Sequence, residues 1–276
     1  MDTFLGYKRA NGGFGIRNQV LVLSLVQCAN GAARQISARC GVPSITIDTG
    51  CGEYRQQEDR TNLGLIRAGQ HPNVYGVLLV SLGCQWTDPA YIQREIEKSG
   101  TKVFHLCIQD EGGLKRTVEK GTALVGQMLR EGVEMERTPC PVSGLVLSVY
   151  CGGSDWSSSL AANVVTGETM DLFGDAGAAF VSAGVRGMPG NEQHLIDLAV
   201  NYQVGEDIPG PGQWFLDNRQ GGNDVYACTA LAMSGAHICL FTTGRGTPLG
   251  NAASVTVKIT GNPDTYARLG GGNDRL

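Results

Sequence analysis

Four cysteines in this chain each stand at the end of a short apolar run. Val20–Val26 leads to Cys28-Ala29-Asn30-Gly31, Ile45–Asp48 to Gly50-Cys51-Gly52, Val77–Leu82 to Gly83-Cys84, and Leu145–Tyr150 to Cys151-Gly152-Gly153-Ser154-Asp155. An apolar, β-rich run closed by glycine reads as a buried strand ending in a turn. Paired glycines let the backbone come close to a ligand and free the amides to point at it. A thiol and a carboxylate on such a turn, as in Cys151 and Asp155, can hold a metal or move a proton. Any one of these turns is explained as well by an ordinary strand-to-helix connection; their recurrence is what points to a site. Converging thiols and carboxylates suit a soft metal, zinc or iron, or an iron–sulfur cluster. No two cysteines have Cys-x-x-Cys spacing, so the ligands would be assembled from distant strand ends: Cys51, Cys84 and Cys151 first, Cys28 next. A nucleophilic thiol is also open, since a strand-end cysteine beside a helix N-terminus has a depressed pKa.

The elements that must position these groups follow in order. A strand over Gln19–Val26 precedes a helix over Asn30–Arg39 with Asn30 as its cap. A strand over Ser44–Asp48 leads through the polar stretch Glu53–Arg60 to a helix over Thr61–Ala68, and Val74–Leu82 is the third strand. Asp88-Pro89 opens a helix by the cap-then-proline rule. Val103–Ile108 is a strand, and a long helix begins at Leu114. Arg137–Pro141, with two prolines and no periodicity, reads as a linker between an N-terminal α/β domain over 1–138 and a C-terminal one over 142–276. Beyond it come the strand Leu145–Tyr150, a helix over Ser157–Leu172, a strand over Ala178–Val181 and an irregular excursion over Met188–Gly222. A helix over Asp224–Met233 and strands over Ile238–Thr242 and Ser254–Ile259 complete the chain. This alternation predicts an α/β fold of Rossmann-like, mostly parallel sheets with helices on both faces, in two packed halves. Ligands in such sheets bind outside the carboxyl ends of the strands. One crevice collecting Cys28, Cys51, Cys84, Asp110, Cys151, Asp155 and Thr243–Thr247 is the expectation.

Composition narrows the partners. The 276 residues are 42% hydrophobic and only 17% charged, with a net charge of -4, which allows one large or two medium cores. The acidic balance and the lack of a basic run argue against nucleic acid and anionic membranes. No stretch approaches the roughly 18 apolar residues of a membrane span, and the first residues lack a signal-peptide core, so a cytoplasmic protein is expected. Nine cysteines, an odd number in a chain of this size, argue against a disulfide framework. Cys40, Cys107, Cys140, Cys228 and Cys239 read as core residues. Nucleotide binding is disfavoured because Gly13-x-Gly15 precedes its strand and lacks the third glycine. A serine hydrolase is disfavoured by the lack of a Gly-x-Ser-x-Gly elbow. Arg17, Arg245 and the Thr242–Thr247 loop offer cationic and donor groups to an anionic carboxylate, although each arginine is explained as well by a structural acid.

Several runs resemble the altronate/galactarate dehydratase family of sugar-acid hydro-lyases. They are Gly6-Tyr7-x-Arg9-x-Asn11-Gly12-x-x-Gly15-Ile16-Arg17-Asn18, Cys28-Ala29-Asn30-Gly31, Gly50-Cys51-Gly52, His71-Pro72-Asn73-Val74 and Leu82-Gly83-Cys84. Ile108-Gln109-x-x-Gly112-Gly113, Cys151-Gly152-Gly153-Ser154-Asp155, Asn163, Phe241-Thr242-Thr243-Gly244-Arg245-Gly246-Thr247-Pro248-x-Gly250 and Val257-Lys258-Ile259-x-x-Asn262 continue the likeness. The resemblance implies dehydration of a small anionic hydroxy acid to a 2-keto-3-deoxy acid, with a divalent metal, iron first and manganese second. For such a reaction Asp155 and Asp59 are the candidate proton-transfer groups, and Arg17, Asn18, Asn163, Thr243 and Arg245 the candidate substrate holders. The resemblance also admits a separate small subunit in place of the small N-terminal domain that many members carry, and apolar surface left by a shortened middle points to a homo-oligomer. The sequence departs from the family pattern in two further places. Ile47, Asp48 and Thr49 stand where members carry a histidine before Gly-Cys-Gly. The stretch around Pro189–Gln213 is short and lacks a Glu-Lys-Ser-Leu-Gly-like motif, which favours the alternative of a non-catalytic sugar-acid-binding or partner-subunit paralogue.

Overall fold

The computed structural model describes residues 3–52, 54–183, 201–202, 207–208, 210–216 and 223–269. The chain divides into two compact units, Leu5–Pro139 and Cys140–Leu276, with Met1–Phe4 counted in the second.

The first unit opens with β1 (Thr3–Lys8) and β2 (Phe14–Gly15), an antiparallel pair in which Tyr7 faces Gly15. A parallel sheet follows, built from β3 (Gln19–Ser24), β4 (Ser44–Ile45), β5 (Val74–Ser81) and β6 (Lys102–Cys107) in the order β4-β3-β5-β6. Its helices are α1 (Asn30–Cys40), α2 (Arg55–Gln70), α3 (Pro89–Glu97) and α4 (Leu114–Glu134). Residues Val20–Ser24 and Val77–Ser81 are buried without a break. This is why these strands read as continuous apolar runs: helices cover both faces of a parallel sheet. Val20, Val22, Leu78 and Val80 form one core with Ala32, Ala33 and Ile36 of α1 and Val118, Val125 and Met128 of α4.

After β7 (Thr138–Pro141) the second unit carries β8 (Val146–Cys151), β9 (Ala179–Ser182), β10 (Asn201–Tyr202), β11 (Gly212–Leu216), β12 (Ile238–Thr242) and β13 (Val255–Ile259). Their order is β10-β11-β9-β8-β12-β13, and every pair is parallel. Among the described residues the helices are α5 (Asn163–Asp175), which continues a π-helical turn over Ser158–Ala162, then α6 (Asp224–Met233) and α7 (Pro263–Leu269). Tyr150, Val181, Leu231, Cys239 and Phe241 share a core, with the rings of Tyr150 and Phe241 5.4 Å apart. In each sheet the chain first steps to one side of its opening strand and then crosses to the other. Strand order therefore reverses between β3 and β5 and between β8 and β12, the positions where open α/β sheets bind ligands.

Several local expectations are corrected. Asn30 does not cap α1; its amide instead donates to the Ile47 carbonyl at 2.8 Å, so the helix entry is tied to the next strand's loop. α2 begins at Arg55, a turn and a half before Thr61, because the polar run Arg55–Arg60 has no apolar period to betray a helix. The expected linker contains β7, preceded by Arg137, whose guanidinium donates to the Tyr7 hydroxyl and the Leu5 carbonyl. The excursion over Met188–Gly222 lies mostly outside the described residues; its described part includes β10 and β11, which extend the sheet. No described helix is long and apolar enough to cross a membrane.

Candidate active site at the carboxyl end of the second sheet

The turn after β8 meets the loop after β12. Gly152 donates its amide to the Thr242 carbonyl, and the Gly153 carbonyl accepts from both Gly244 and Arg245. Gly153 has φ +61°, a left-handed conformation that favours glycine. Asp155 fixes the turn. One carboxylate oxygen accepts from the Ser157 amide at 2.9 Å, the Ser157 hydroxyl at 2.6 Å and the Ser158 amide at 3.3 Å. That is an N-cap on the helical segment leading to α5. The other oxygen accepts from the Asn262 side chain at 2.8 Å. The hydrogen bonds from Ser157, then Asn262, hold the carboxyl below its ordinary value, so it stays ionised.

Asn262 itself caps α7, its oxygen accepting from the Asp264 and Thr265 amides. Two helix N-termini are thus linked through one Asp–Asn contact. Gly244 is part of the same lock, since a Cβ on it would stand 2.1 Å from Asp155 Cγ. Thr243 is fully buried, and its hydroxyl accepts from the Gly246 amide; it shapes the loop. Arg245 is exposed and makes no ion pair among the described residues. Asn163 is half-buried on the first turn of α5.

Two groups that the sequence reading passed over complete the site. Asp224, on the first turn of α6, lies against Gly152, where a Cβ would be 2.6 Å from Asp224 Oδ2. Tyr150, the residue before Cys151, is hydrogen-bonded to Asp224; burial first, then that carboxylate, pushes its phenol up to about 12. The hydroxyl therefore donates to Asp224 throughout the ordinary pH range. The Cys151 thiol stands 2.8 Å from the Ser154 hydroxyl. The pattern Asn262-Pro263, a cap followed by proline, was the one sequence signal for the α7 anchor; nothing local marks Asp224.

The other expected residues lie in the first unit. Cys28, Cys51 and Cys84 are exposed at the carboxyl ends of its strands. Their loops are joined by backbone bonds from Gln27 to Thr49 and from Trp86 to Gly50. A Cβ on Gly50 would lie 2.6 Å from the Leu25 carbonyl, so that glycine serves loop packing. Arg17 and Asn18 stand at the opposite, amino end of β3. Asn18 accepts from the Arg9 guanidinium and donates to the Gly132 carbonyl. Asp59 is exposed on α2. Among the described residues no group of three or more His, Cys, Asp or Glu side chains could hold a metal ion. Cys28, Cys51 and Cys84 belong to the first unit and Cys151 to the second.

Two family models match in order along the chain. The one described as D-galactarate dehydratase/altronate hydrolase, second domain, covers residues 6–132. The one described as D-galactarate/altronate dehydratase, C-terminal, covers 142–217 and 199–274. The chain belongs to this dehydratase family. It is 27% identical to the altronate dehydratase of Bacillus subtilis over 333 positions, covering 96% of this chain and 66% of the relative. It is 28% identical to the altronate dehydratase of Escherichia coli, covering 95% and 66%. It is also 25% identical to the (2R)-sulfolactate sulfo-lyase subunit beta of Chromohalobacter salexigens, covering 97% and 84%. The family chain described here thus spans just under two thirds of the length of either altronate dehydratase. Its C-terminal model matches in two pieces that overlap over 199–217.

Proposed function

We propose that this chain is a hydro-lyase acting on a sugar acid, an aldonate or aldarate such as altronate or galactarate, to give a 2-keto-3-deoxy acid. The observation that carries the reading is the match of both family domains, in order, with the turn after β8 and the loop after β12 intact at a reversal of strand order. Arg245 would take the substrate carboxylate by a charge-assisted hydrogen bond. A base removes the C2 proton; its electron pair forms the C2–C3 double bond as the C3 hydroxyl leaves, protonated, as water. The enol then tautomerises to the keto acid. The iron or manganese implied by the family resemblance is assigned to no residues, because the described side chains form no ligand group. A cytoplasmic setting belongs to the same reading and is supported by nine free thiols. A separate subunit is supported by the relative named a beta subunit.

A second reading, a non-catalytic sugar-acid-binding or partner-subunit paralogue, has its own support. The alignment to the Bacillus relative runs over 333 positions against 276 residues in this chain, so the relative carries residues within the matched span that are missing here. The test is to incubate the anaerobically purified protein, with and without added iron or manganese, with a panel of aldonates and aldarates. Formation of 2-keto acid supports the hydro-lyase. Thermal stabilisation by a sugar acid without turnover supports the paralogue. Neither response to any member of the panel refutes both.

A further inference from the structure

Asp155 was the natural candidate for moving a proton at the second sheet, and the structure engages it otherwise. Both its oxygens are taken up, by the helix cap and by Asn262. Three donors converge on one Asp155 oxygen and Asn262 holds the other, so turning this carboxylate toward a substrate would open the loop. Asp224 differs. It is half-buried at the strand end, lies against Gly152, and is held from one side by Tyr150. Gly152 is buried, and the absence of a side chain on it is what lets the carboxylate pack there. The next residue, Gly153, has the Arg245 Cβ 3.6 Å from where its own Cβ would be. The two glycines thus present a carboxylate beside one and an arginine beside the next, the pair of charges an α-hydroxy acid requires at C2 and C1.

We propose that Asp224 is the proton-transfer residue of this site, with Tyr150 as the positioning residue that aims it and Gly152 as the buried backbone on which its carboxylate packs. The assignment rests on the hydro-lyase reading. Asp224 takes the C2 proton of a 2,3-dihydroxy acid whose carboxylate is held by Arg245. The C–H electrons become the C2–C3 double bond, the C3–O bond breaks, and the departing hydroxyl receives the proton from the Asp224 carboxyl and leaves as water. No oxidant or reductant enters the balance.

The experiment follows sugar acids in D2O by NMR with the wild-type chain, Asp224→Asn, Tyr150→Phe and Gly152→Ala, scoring keto-acid formation and deuterium exchanged into C2 of the recovered substrate. Asp224→Asn is expected to lower kcat by about 100-fold or more, with KM and thermal stabilisation by the acid within about 3-fold of wild type. Tyr150→Phe should lower kcat with KM unchanged, a split that a purely structural role would not produce. Gly152→Ala forces only the end of a flexible side chain to move, so it should fold and lose turnover even where Asp224→Asn does not fold. Wild-type turnover with Asp224→Asn or Gly152→Ala within about 3-fold of it overturns the assignment alone. Wild-type protein giving neither keto acid nor deuterium at C2 of the recovered substrate overturns the hydro-lyase reading and this assignment with it.

Discussion

Gly244→Ala tests whether the loops of the second unit are locked as described. Gly244 is buried without a left-handed φ, so alanine meets no backbone penalty and the whole effect is steric. Its Cβ would stand 2.1 Å from both Asp155 Cγ and Oδ1, and 2.6 Å from Oδ2, more than an ångström inside van der Waals contact. Asp155 cannot turn aside without breaking the cap on Ser157 and Ser158 or the bond from Asn262. Overpacking of this kind costs about 1–3 kcal/mol. At roughly 2–4 °C per kcal/mol for a domain of this size, the midpoint should fall by roughly 2–12 °C. Gly250→Ala is the matched control in the same loop, since its Cβ would meet nothing within 4 Å. Urea and thermal denaturation of both variants give the comparison, and Asp155→Ala completes a double-mutant cycle. Because truncating Asp155 removes the obstacle, the double mutant should lose less stability than the sum of the two singles. A Gly244→Ala midpoint equal to that of Gly250→Ala, or strict additivity in the cycle, would refute the lock.

Three further outcomes follow from other parts of the molecule. His105, 2.7 Å from the buried Ser81 hydroxyl, has its pKa lowered by burial, against an opposing pull from Asp110. The unfolded chain therefore binds the proton first, so stability present above the ordinary value of about 6.5 should be lost as pH falls below it. His105→Gln should flatten that part of a stability–pH profile, and an unchanged slope would count against the assignment. Cys151→Ser should leave the metal content of anaerobically purified protein unchanged by elemental analysis, because the thiol faces Ser154 and belongs to no ligand group among the described residues; loss of metal would show the opposite. Asp88→Ala, which removes the side chain accepting from the Ala90 amide at the start of α3, should cost about 1 kcal/mol in urea denaturation, and no shift would mean that Pro89 alone sets the helix start.

Much of the architecture is legible locally. Runs such as Val77–Leu82 announce strands covered on both faces, because a parallel sheet leaves no polar alternation. Asp88-Pro89 marks a helix start, and the alternation of strands and helices fixes the class. What escapes the local reading is polar or short. The first turns of α2 are polar and charged in sequence, β10 has two residues, and α7 is signalled only by Asn262-Pro263.

The candidate site divides along the same line. The sequence alone determines that glycine-rich turns carrying Cys28, Cys51, Cys84, Cys151 and Asp155 follow strands, since chain direction and strand length place a turn at a strand's carboxyl end. Only the tertiary structure decides what those turns do. Asp155 becomes a helix cap through Asn262, 107 residues away in sequence, while Asp224 arrives at Gly152 because β12 lies beside β8 and α6 leads into it. Strand order is set by long-range packing that leaves no periodic trace in the chain. For that reason the carboxylate most conspicuous in the sequence is the one that caps a helix, and the place of Asp224 beside Gly152 is set by the fold.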